Sequence, residues 1–320
     1  MLNKTRNFPN ISGWKHQSVL NVFSIVRHIG ALPDGVRLAL IIEGGALRGV
    51  ISCGYAMALS ELISDRCFSF VYGAPSGGLN GVYFSAQSLD LALKIYSENA
   101  TDPQCTNIWK FPNVLNADWL VDTWMFGKRQ FNVNILHSTT SEVRIVLTRL
   151  DDGRPFYFDA RRAPLELLNK AMKATSYAPL LTEKCQIIDG VAYGDGAIGD
   201  TFPYRQAISD GATHIVCLTT RTENYRKRIG PVEKLLHRVR LLGHKKEYIK
   251  AYFNRPAKYN ESLDLIYKGG IGTVPTLVLR PQNEGEIPRS VETNPKAVRR
   301  FGDNAVSLAR EQLSSALAVS

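Results

Sequence analysis

The sequence predicts a layered α/β fold with a mostly parallel central sheet. One observation is a continuous apolar run at 38–42, which is typical of a strand buried on both faces. Another is a strand, a glycine-rich turn and a helix in direct succession over residues 68–86. The third is that strand-like and helix-like segments alternate along the chain as far as a terminal helix at 295–317. This alternation favours one α/β domain.

Composition limits the class of protein further. The chain has 320 residues and 44% hydrophobic side chains, enough for a sizeable core. Its five cysteines are odd in number and scattered, a usage typical of free thiols in a reducing compartment. The first ten residues lack the apolar core of a signal peptide, and no apolar run approaches the roughly 20 residues that span a bilayer. We therefore expect a cytoplasmic protein with a loosely ordered N-terminal extension over residues 1–36.

The first predicted strand ends in a glycine-rich loop, E-G-G-A-L-R-G at 43–49, and a helix is predicted from residue 50 to about residue 63. The N–H groups of such a loop, beside a helix N-terminus, stabilise negative charge. Two functions fit, phosphate binding and an oxyanion hole for a tetrahedral intermediate. The spacing matches neither the P-loop nor the dinucleotide fingerprint. A tight turn needed only for packing is the structural alternative.

The stretch that organises the chain is F-S-F-V-Y-G-A-P-S-G-G-L-N-G at 68–81. A strand, a sharp glycine-rich turn and a helix form the frame of a nucleophile elbow, whose usual pattern is G-x-S-x-G. Here the outer glycines, Gly73 and Gly77, bracket Pro75. The serine stands one place later, at Ser76.

The remaining elements are predicted in chain order. Residues 102–130 are irregular and rich in aromatic side chains, which fits either a flap over an apolar cleft or ordinary core packing. The segments 143–150 and 155–158 predict a β-hairpin. Further predicted helices cover residues 19–28, 88–100 and 163–173, and further strands cover residues 186–188, 213–219 and 276–279.

Positive charge is concentrated at residues 221–250, which hold ten Lys or Arg against three Glu. Within this segment five apolar residues recur at helical spacing on one face: Val232, Leu235, Leu236, Val239 and Leu242. A basic amphipathic helix suits an anionic membrane surface. The alternative is a surface helix whose apolar face packs on its own domain. The candidate membrane-contacting cations are Arg226, Lys227, Arg228, Arg238 and Arg240. Nucleic acid is not expected, because no aromatic side chains are interleaved with the charge.

Several motifs, in this order and spacing, together resemble the patatin-like phospholipase family: EGGALRG, GAPSGGLNG, ATSYAP and GDGAIGDTFP. The segments NRPAKYNESLDLI and VLRPQ look like its bacterial branch, so the resemblance runs from about residue 38 to residue 309. It implies a three-layer α/β/α fold, with a core over 37–220 and a C-terminal region over 221–320 packed on it. It also implies hydrolysis of a phospholipid or another acyl-ester lipid by a Ser-Asp dyad, with no metal or other cofactor.

The resemblance assigns roles to residues of this chain. Asp195, in Asp-Gly-Ala, matches the aspartate of the dyad, and the spacing to the downstream Pro203 favours it over Asp189. Gly73, Gly77 and Gly78 match the elbow glycines. The expected oxyanion loop contains Gly44, Gly45, Ala46, Arg48 and Gly49, with Ala46 in place of a third glycine.

The elbow departs from the family pattern. An ungapped alignment puts Pro75 at the nucleophile position, and proline has no hydroxyl and fixes φ near −65°. Either the turn relaxes and leaves a lipid-binding pseudoenzyme, or the tip moves by one residue. In the second case Ser76 attacks, Asp195 acts as general base and Gly78 keeps the +2 position. We favour the first outcome, and the backbone at 74–77 distinguishes them.

A Ser-Asp-His triad is the rival enzymatic interpretation. Its chain order requires a histidine after Asp195, which leaves His214, His237 and His244. We expect all three to be structural or solvated. The earlier histidines, at positions 16, 28 and 137, have no companion residues that suggest a metal site.

Overall fold

The structure is a computed structural model that describes residues 12–110, 113–179, 181–182 and 184–318. Within these residues eight strands form one sheet, in the order β5-β6-β3-β2-β1-β7-β8 with β4 paired to β3. The strands are β1 (Leu38–Glu43), β2 (Phe68–Ala74), β3 (Glu142–Arg149), β4 (Pro155–Asp159), β5 (Gln186–Ile188), β6 (Val191–Gly194), β7 (His214–Leu218) and β8 (Thr276–Leu279).

Helices connect and cover these strands. The α-helices are α1 (His16–Ile29), α2 (Gly49–Leu62), α3 (Ser76–Ser85), α4 (Leu89–Lys94), α5 (Ala117–Trp119), α6 (Val133–Ser138), α7 (Leu165–Thr175), α8 (Gly196–Gly199), α9 (Tyr204–Ser209), α10 (Pro231–Arg240), α11 (Lys246–Lys268) and α12 (Pro295–Leu317). Short 3₁₀ turns lie at Ala46–Arg48, Asp65–Cys67, Ile108–Lys110 and Glu284–Glu286, and π-helical turns at Ile95–Asn99 and Leu120–Lys128.

The centre of the sheet is parallel, as the apolar run at 38–42 predicts. β1 lies between β2 and β7 and is parallel to both, and β8 continues the parallel part beside β7. The pairing of Glu43 with Ala74 places the carboxyl ends of β1 and β2 side by side. The glycine loop after β1 and the turn after β2 therefore leave the same edge of the sheet together.

Both faces of the sheet are covered, which confirms the three-layer α/β/α fold. Along β1, Leu38, Leu40 and Ile42 belong to the apolar cluster that includes side chains of α1, α2, α3, α7 and α12. Ala39 and Ile41 point the other way, into a second cluster with side chains of α9 and α11. The alternation follows from the two-residue period of a strand.

Most predicted elements are present, several with the predicted bounds. β8 and α12 span the residues that the sequence predicts, and the hairpin of β3 and β4 is antiparallel as expected. α11 was not predicted, and its interior contains Pro256, a residue that is unfavourable inside a helix. Of the N-terminal extension, residues 1–11 lie outside the described residues. In the part of the chain that the structure describes, no helix is both long and apolar enough to cross a membrane.

The C-terminal region completes the fold of the core. β8 adds a strand to the central sheet, and α12 crosses α2 at close range. A Cβ added to Gly54 would lie 2.7 Å from the carbonyl oxygen of Gly302, so two glycines allow this approach. α11 packs across the opposite face of the sheet through Tyr259, Leu263 and Ile266.

Candidate functional site

The turn between β2 and α3 is made without a strained residue. Pro75 has φ −57° and ψ −65°, which is right-handed helical, and α3 begins at the next residue. No residue of 73–77 has a positive φ. The glycines are needed for contact: a Cβ on Gly73 would lie 2.3 Å from the carbonyl of Gly77, and one on Gly77 would lie 2.0 Å from the oxygen of Ile42. The strained backbone expected of a nucleophile elbow is therefore missing at residues 73–77.

The glycine loop after β1 is pressed onto this turn. A Cβ on Gly44 would lie 2.4 Å from the carbonyl oxygen of Ala74. Gly45 and Ala46 have φ of 144° and 54°, so an alanine occupies the left-handed region where glycine is favoured. The backbone N–H of Gly45 donates a hydrogen bond of 3.0 Å to Ser76 Oγ. The N–H group of the expected oxyanion loop thus binds a side chain of the protein itself.

Ser76 Oγ lies beneath the first turn of α2. A Cβ on Gly49 would lie 2.6 Å from Ser76 Oγ and 2.4 Å from the Tyr96 hydroxyl oxygen. Tyr96 donates to Asn80 Oδ1 over 3.0 Å, and Asn80 Nδ2 donates to the Gly49 carbonyl over 2.9 Å. Burial raises the pKa of Tyr96, which keeps its hydroxyl protonated. The neighbours of Ser76 are therefore neutral, and none of these contacts supplies a general base.

Asp195 lies at the end of β6 and caps α8. Its Oδ1 accepts the N–H of Ala197 at 3.0 Å, and its Oδ2 lies 3.8 Å from Arg255 Nη1. Burial raises the pKa of Asp195, while the nearby charges of Arg255 and Lys227 oppose that shift. Within the described residues Asp195 and Ser76 share no hydrogen bond. Asp189, the other candidate, is exposed in the turn between β5 and β6, with φ 49°.

One cavity of about 370 Å³ brings the predicted site residues together. The glycine loop, Pro75, Ser76 and Asp195 all line it. Much of its wall is apolar, with Leu79, Ile95, Leu115, Leu120, Val121 and Met125. The aromatic segment at 102–130 contributes to this wall through Val121 and Met125, and its Trp119 and Trp124 rings meet edge to face at 6.0 Å.

The same cavity has a charged side that the sequence did not reveal. Arg48, Lys227 and Arg255 line it together with Glu43, Asp195 and Glu233. Burial and, to a smaller extent, the positive charge of Arg255 lower the pKa of Lys227 to about 7. Arg255 lies over the ring of Tyr252, 4.7 Å from its centroid. The only sequence signal for Arg255 was its position in the NRPAKYN segment, to which no role was assigned.

The histidines do not complete a triad. His237 is buried and lines the cavity, but its Nε2 lies 3.5 Å from Glu233 Oε1 and not against Asp195. His214 contacts Ser18 and Thr213, and His244 stacks on Tyr248. Across the described residues, no group of three or more His, Cys, Asp or Glu side chains is placed to hold a metal ion.

The basic helix α10 turns its apolar face outward. The exposed fractions are 74% for Val232, 64% for Leu235, 53% for Leu236 and 62% for Val239. Leu242, predicted on the same face, is 75% exposed but lies in the turn after the helix, which ends at Arg240. The opposite face carries Glu233 and His237, which line the cavity. The apolar face of α10 therefore does not pack on its own domain, which was the alternative prediction.

The five cations assigned to a membrane surface have different surroundings. Arg228 and Arg238 are exposed. Arg226 forms an ion pair of 3.1 Å with Asp264, and Arg240 Nε donates to the Pro179 carbonyl. Lys227 faces the cavity. Arg228 and Arg238 therefore remain the best placed to meet a lipid surface.

Comparison with known proteins agrees with this fold. The model of the patatin-like phospholipase family matches residues 40–208, more than half of the chain, so the protein belongs to the patatin-like phospholipase family. That range includes the elbow and Asp195 and ends before Lys227, α10 and Arg255.

Two individual proteins are similar over different lengths. The uncharacterized protein YjjU of Escherichia coli K12 is 25% identical over 192 residues, which are 58% of this chain and 52% of YjjU. The matched part thus spans about half the length of this curated relative. The crystal structure of VipD from Legionella pneumophila superimposes with a TM-score of 0.50 and 10% identity, over 100% of this chain and 72% of VipD. At that identity the likeness concerns the fold alone.

Proposed function

We propose that this protein binds an acyl lipid in its cavity and does not hydrolyse it through a Ser-Asp dyad. The observation that carries the proposal is the unstrained helical backbone of Pro75, which has no hydroxyl and stands where the family resemblance expects the nucleophile. Family membership supports a lipid as the ligand. The apolar wall around Val121 and Met125 supports the same class of ligand, because acyl chains are bound by apolar contact.

Ser76 is a poor substitute for the missing nucleophile. A serine needs an adjacent base to attack, and Ser76 Oγ instead accepts a hydrogen bond from Gly45. An oxyanion hole needs free N–H groups, and that same bond occupies one of them. Asp195 is engaged by Ala197 and Arg255. These contacts support a pseudoenzyme.

An active hydrolase that uses Ser76 with Asp195 as general base is the second candidate. It is favoured by one observation, that both side chains line the same cavity as the glycine loop. It requires Ser76 to leave the Gly45 N–H and Asp195 to come within hydrogen-bond reach of it.

Fluorophosphonate labelling together with lipid binding tests the proposal. We expect the protein to bind a fluorescent fatty acid in its cavity. We also expect that the fluorophosphonate does not label the protein and that the protein does not cleave p-nitrophenyl esters. Val121→Glu should abolish the lipid binding, because it puts a charge on the apolar wall. Labelling of the unmutated protein that disappears in Ser76→Ala would establish the hydrolase instead. A protein that binds no acyl lipid would fit neither candidate.

The outward apolar face of α10 supports peripheral contact with a membrane as part of this function. Contiguous exposed apolar side chains mark interaction sites, and a helix that also carries Arg228 and Arg238 nearby suits an anionic lipid surface. Since the inner face of α10 borders the cavity, a docked helix would hold the cavity close to the lipid.

A further inference from the structure

The cations of the cavity come from two parts of the chain. Arg48 belongs to the glycine loop inside the family match, whereas Lys227 and Arg255 lie beyond residue 208, where that match ends. Lys227 precedes α10, and Arg255 lies in α11. Arg255 is close enough to disfavour the charge on Lys227. The C-terminal region therefore places two like charges at one end of the cavity.

These two cations have donors that the protein leaves unused. The Nε of Arg255 is buried and has no hydrogen-bond partner among the described residues. The closest carboxylate oxygen to its guanidinium, Oδ2 of Asp195, lies 3.8 Å from Nη1. The Lys227 ammonium lies over the ring of Tyr259, 5.0 Å from its centroid, and forms no ion pair with a described carboxylate. The buried Nε is closed to a ligand, but Lys227 and Arg255 both line the cavity, where an anion would pair with their remaining donors.

The neighbouring carboxylates, Glu43 and Asp195, favour the charged form of Lys227 but make no short ion pair with it or with Arg255. Both oxygens of Glu43 accept hydrogen bonds from neutral donors, the Tyr259 hydroxyl at 2.8 Å and the Thr220 N–H at 2.5 Å. Asp195 Oδ1 is held by the Ala197 N–H, and burial favours the neutral form of this carboxyl. The third acidic side chain of the lining, Glu233, lies against His237, so no described carboxylate comes closer to the charged groups of Lys227 and Arg255 than the 3.8 Å between Asp195 and Arg255.

The rest of the cavity requires an apolar ligand. Its wall includes Leu79, Ile95, Leu120, Val121 and Met125, which come from α3 and the two π-helical turns. A volume of about 370 Å³ is at the small end of ligand sites, which favours one acyl chain over two. A ligand that fills both ends has a single apolar chain and an anionic head.

We propose that Lys227 and Arg255 form an oxyanion-binding subsite that takes the phosphate or carboxylate head of a single-chain acyl lipid. The guanidinium offers paired donors that match either oxyanion, and the ammonium adds a point charge. The acyl chain lies against the apolar wall. This inference rests on the proposed function, because it assumes that a lipid occupies the cavity.

Calorimetric titration with matched lipids tests the subsite. The probes are lysophosphatidic acid, the free fatty acid and the monoacylglycerol of one medium-length chain, each below its critical micelle concentration. We expect at least one anionic lipid to bind roughly tenfold or more tightly than the monoacylglycerol, as a charge-assisted hydrogen bond provides. Lys227→Met should remove most of this preference, by weakening the binding of the anionic lipid far more than that of the monoacylglycerol. Arg228→Met, an adjacent exposed cation, is the matched control and should change neither.

The other outcomes of the titration distinguish a failure of the subsite from a failure of lipid binding. Equal binding of charged and neutral lipids by the unmutated protein would overturn the subsite and leave lipid binding intact. If no lipid binds, the proposed function fails as well. Inorganic phosphate or glycerol phosphate binding as tightly as lysophosphatidic acid would show a site for free phosphate and overturn the lipid head group. Arg255→Lys, which keeps a cation beside Asp195, is a second variant and should also reduce the preference for anionic lipid. If this preference is unchanged in both variants, the assignment of Lys227 and Arg255 is wrong.

Discussion

The backbone N–H of Gly45 donates a hydrogen bond to Ser76 Oγ, so the loop that would stabilise an oxyanion is fastened to the serine beside the elbow. Ser76 is 7% exposed, and the bond lies between the first turn of α3 and the loop after β1. A bond in this place has a structural effect that is measurable without any substrate.

Ser76→Ala should lower the free energy of unfolding by about 0.5–1.5 kcal/mol, because it removes the acceptor of the half-buried Gly45 N–H. Chemical denaturation measures this directly. The matched control is Ser85→Ala at the end of the same helix. Ser85 Oγ is buried without a hydrogen-bond partner among the described residues, so its removal should be neutral or slightly stabilising. Equal effects of the two substitutions would contradict a structural role for Ser76.

Lys227 should make stability depend on pH. Burial lowers its pKa to about 7 from an ordinary value of 10.5, so the unfolded chain binds more protons between these values. Lys227 therefore destabilises the folded protein fully below pH 7, and this destabilisation disappears as the pH rises towards 10.5. The charged side chains that face it are Arg48, Arg255, Glu43 and Asp195.

Lys227→Met should accordingly be more stable than the unmutated protein at pH 6, and the difference should shrink by pH 9. Denaturation midpoints at the two pH values measure this change. Arg228→Met controls for the loss of a cation in the same loop and should show no such trend. A difference that is constant with pH would mean that Lys227 keeps an ordinary pKa.

Membrane binding should depend on the exposed cations and not on the paired one. Replacing Arg228 and Arg238 by Gln should weaken binding to anionic vesicles by roughly 1 kcal/mol per charge, and added salt should have the same effect. Arg226→Gln should have little effect, because Arg226 is paired with Asp264. Leu235→Ser and Val239→Ser should weaken binding further by removing the apolar contact. Vesicle sedimentation measures all of these, and salt-independent binding would argue against an electrostatic contribution.

Replacing Ala46 by glycine should not destabilise the folded protein. Its φ of 54° lies in the left-handed region, which costs an alanine about 1–2 kcal/mol, whereas glycine adopts it freely. Ala46→Gly should therefore raise stability or leave it unchanged, although glycine adds entropy to the unfolded chain. Ala257→Gly, at an exposed position within α11, should instead lower stability by about 1 kcal/mol. Similar losses at both positions would show that residue 46 is not held in this conformation.

The parts of the fold that local pattern determines were predictable from the sequence. The apolar run of β1 and the glycine turn before α3 each follow from side-chain type and spacing, and β8 and α12 have the predicted bounds. α11 was not predicted; it contains Pro256, which is unfavourable inside a helix, yet it packs Tyr259 and Leu263 onto the sheet. Tertiary contact decided that case.

The site was predictable only where a motif preserves order along the chain. The glycine loop, the elbow and Asp195 are motifs, and the structure places all three on one cavity. Lys227 and Arg255 are distant in sequence from these motifs, and nothing in their local pattern indicates that they face inward. Whether the face of α10 points inward or outward was also open, because helical spacing gives a face but not its direction.

The last prediction restores the missing nucleophile. Pro75→Ser makes residues 73–77 read G-A-S-S-G, frees φ at the tip of the turn and returns an N–H to the backbone. We expect this change to confer fluorophosphonate labelling and cleavage of p-nitrophenyl esters, both lost when Asp195→Asn is added. Adding Ser76→Ala should increase the activity, because it releases the Gly45 N–H for the oxyanion, and one such donor contributes about 3 kcal/mol. If folded Pro75→Ser protein stays inert, even with Ser76→Ala and Ala46→Gly, Asp195 and its ion pair with Arg255 no longer support hydrolysis.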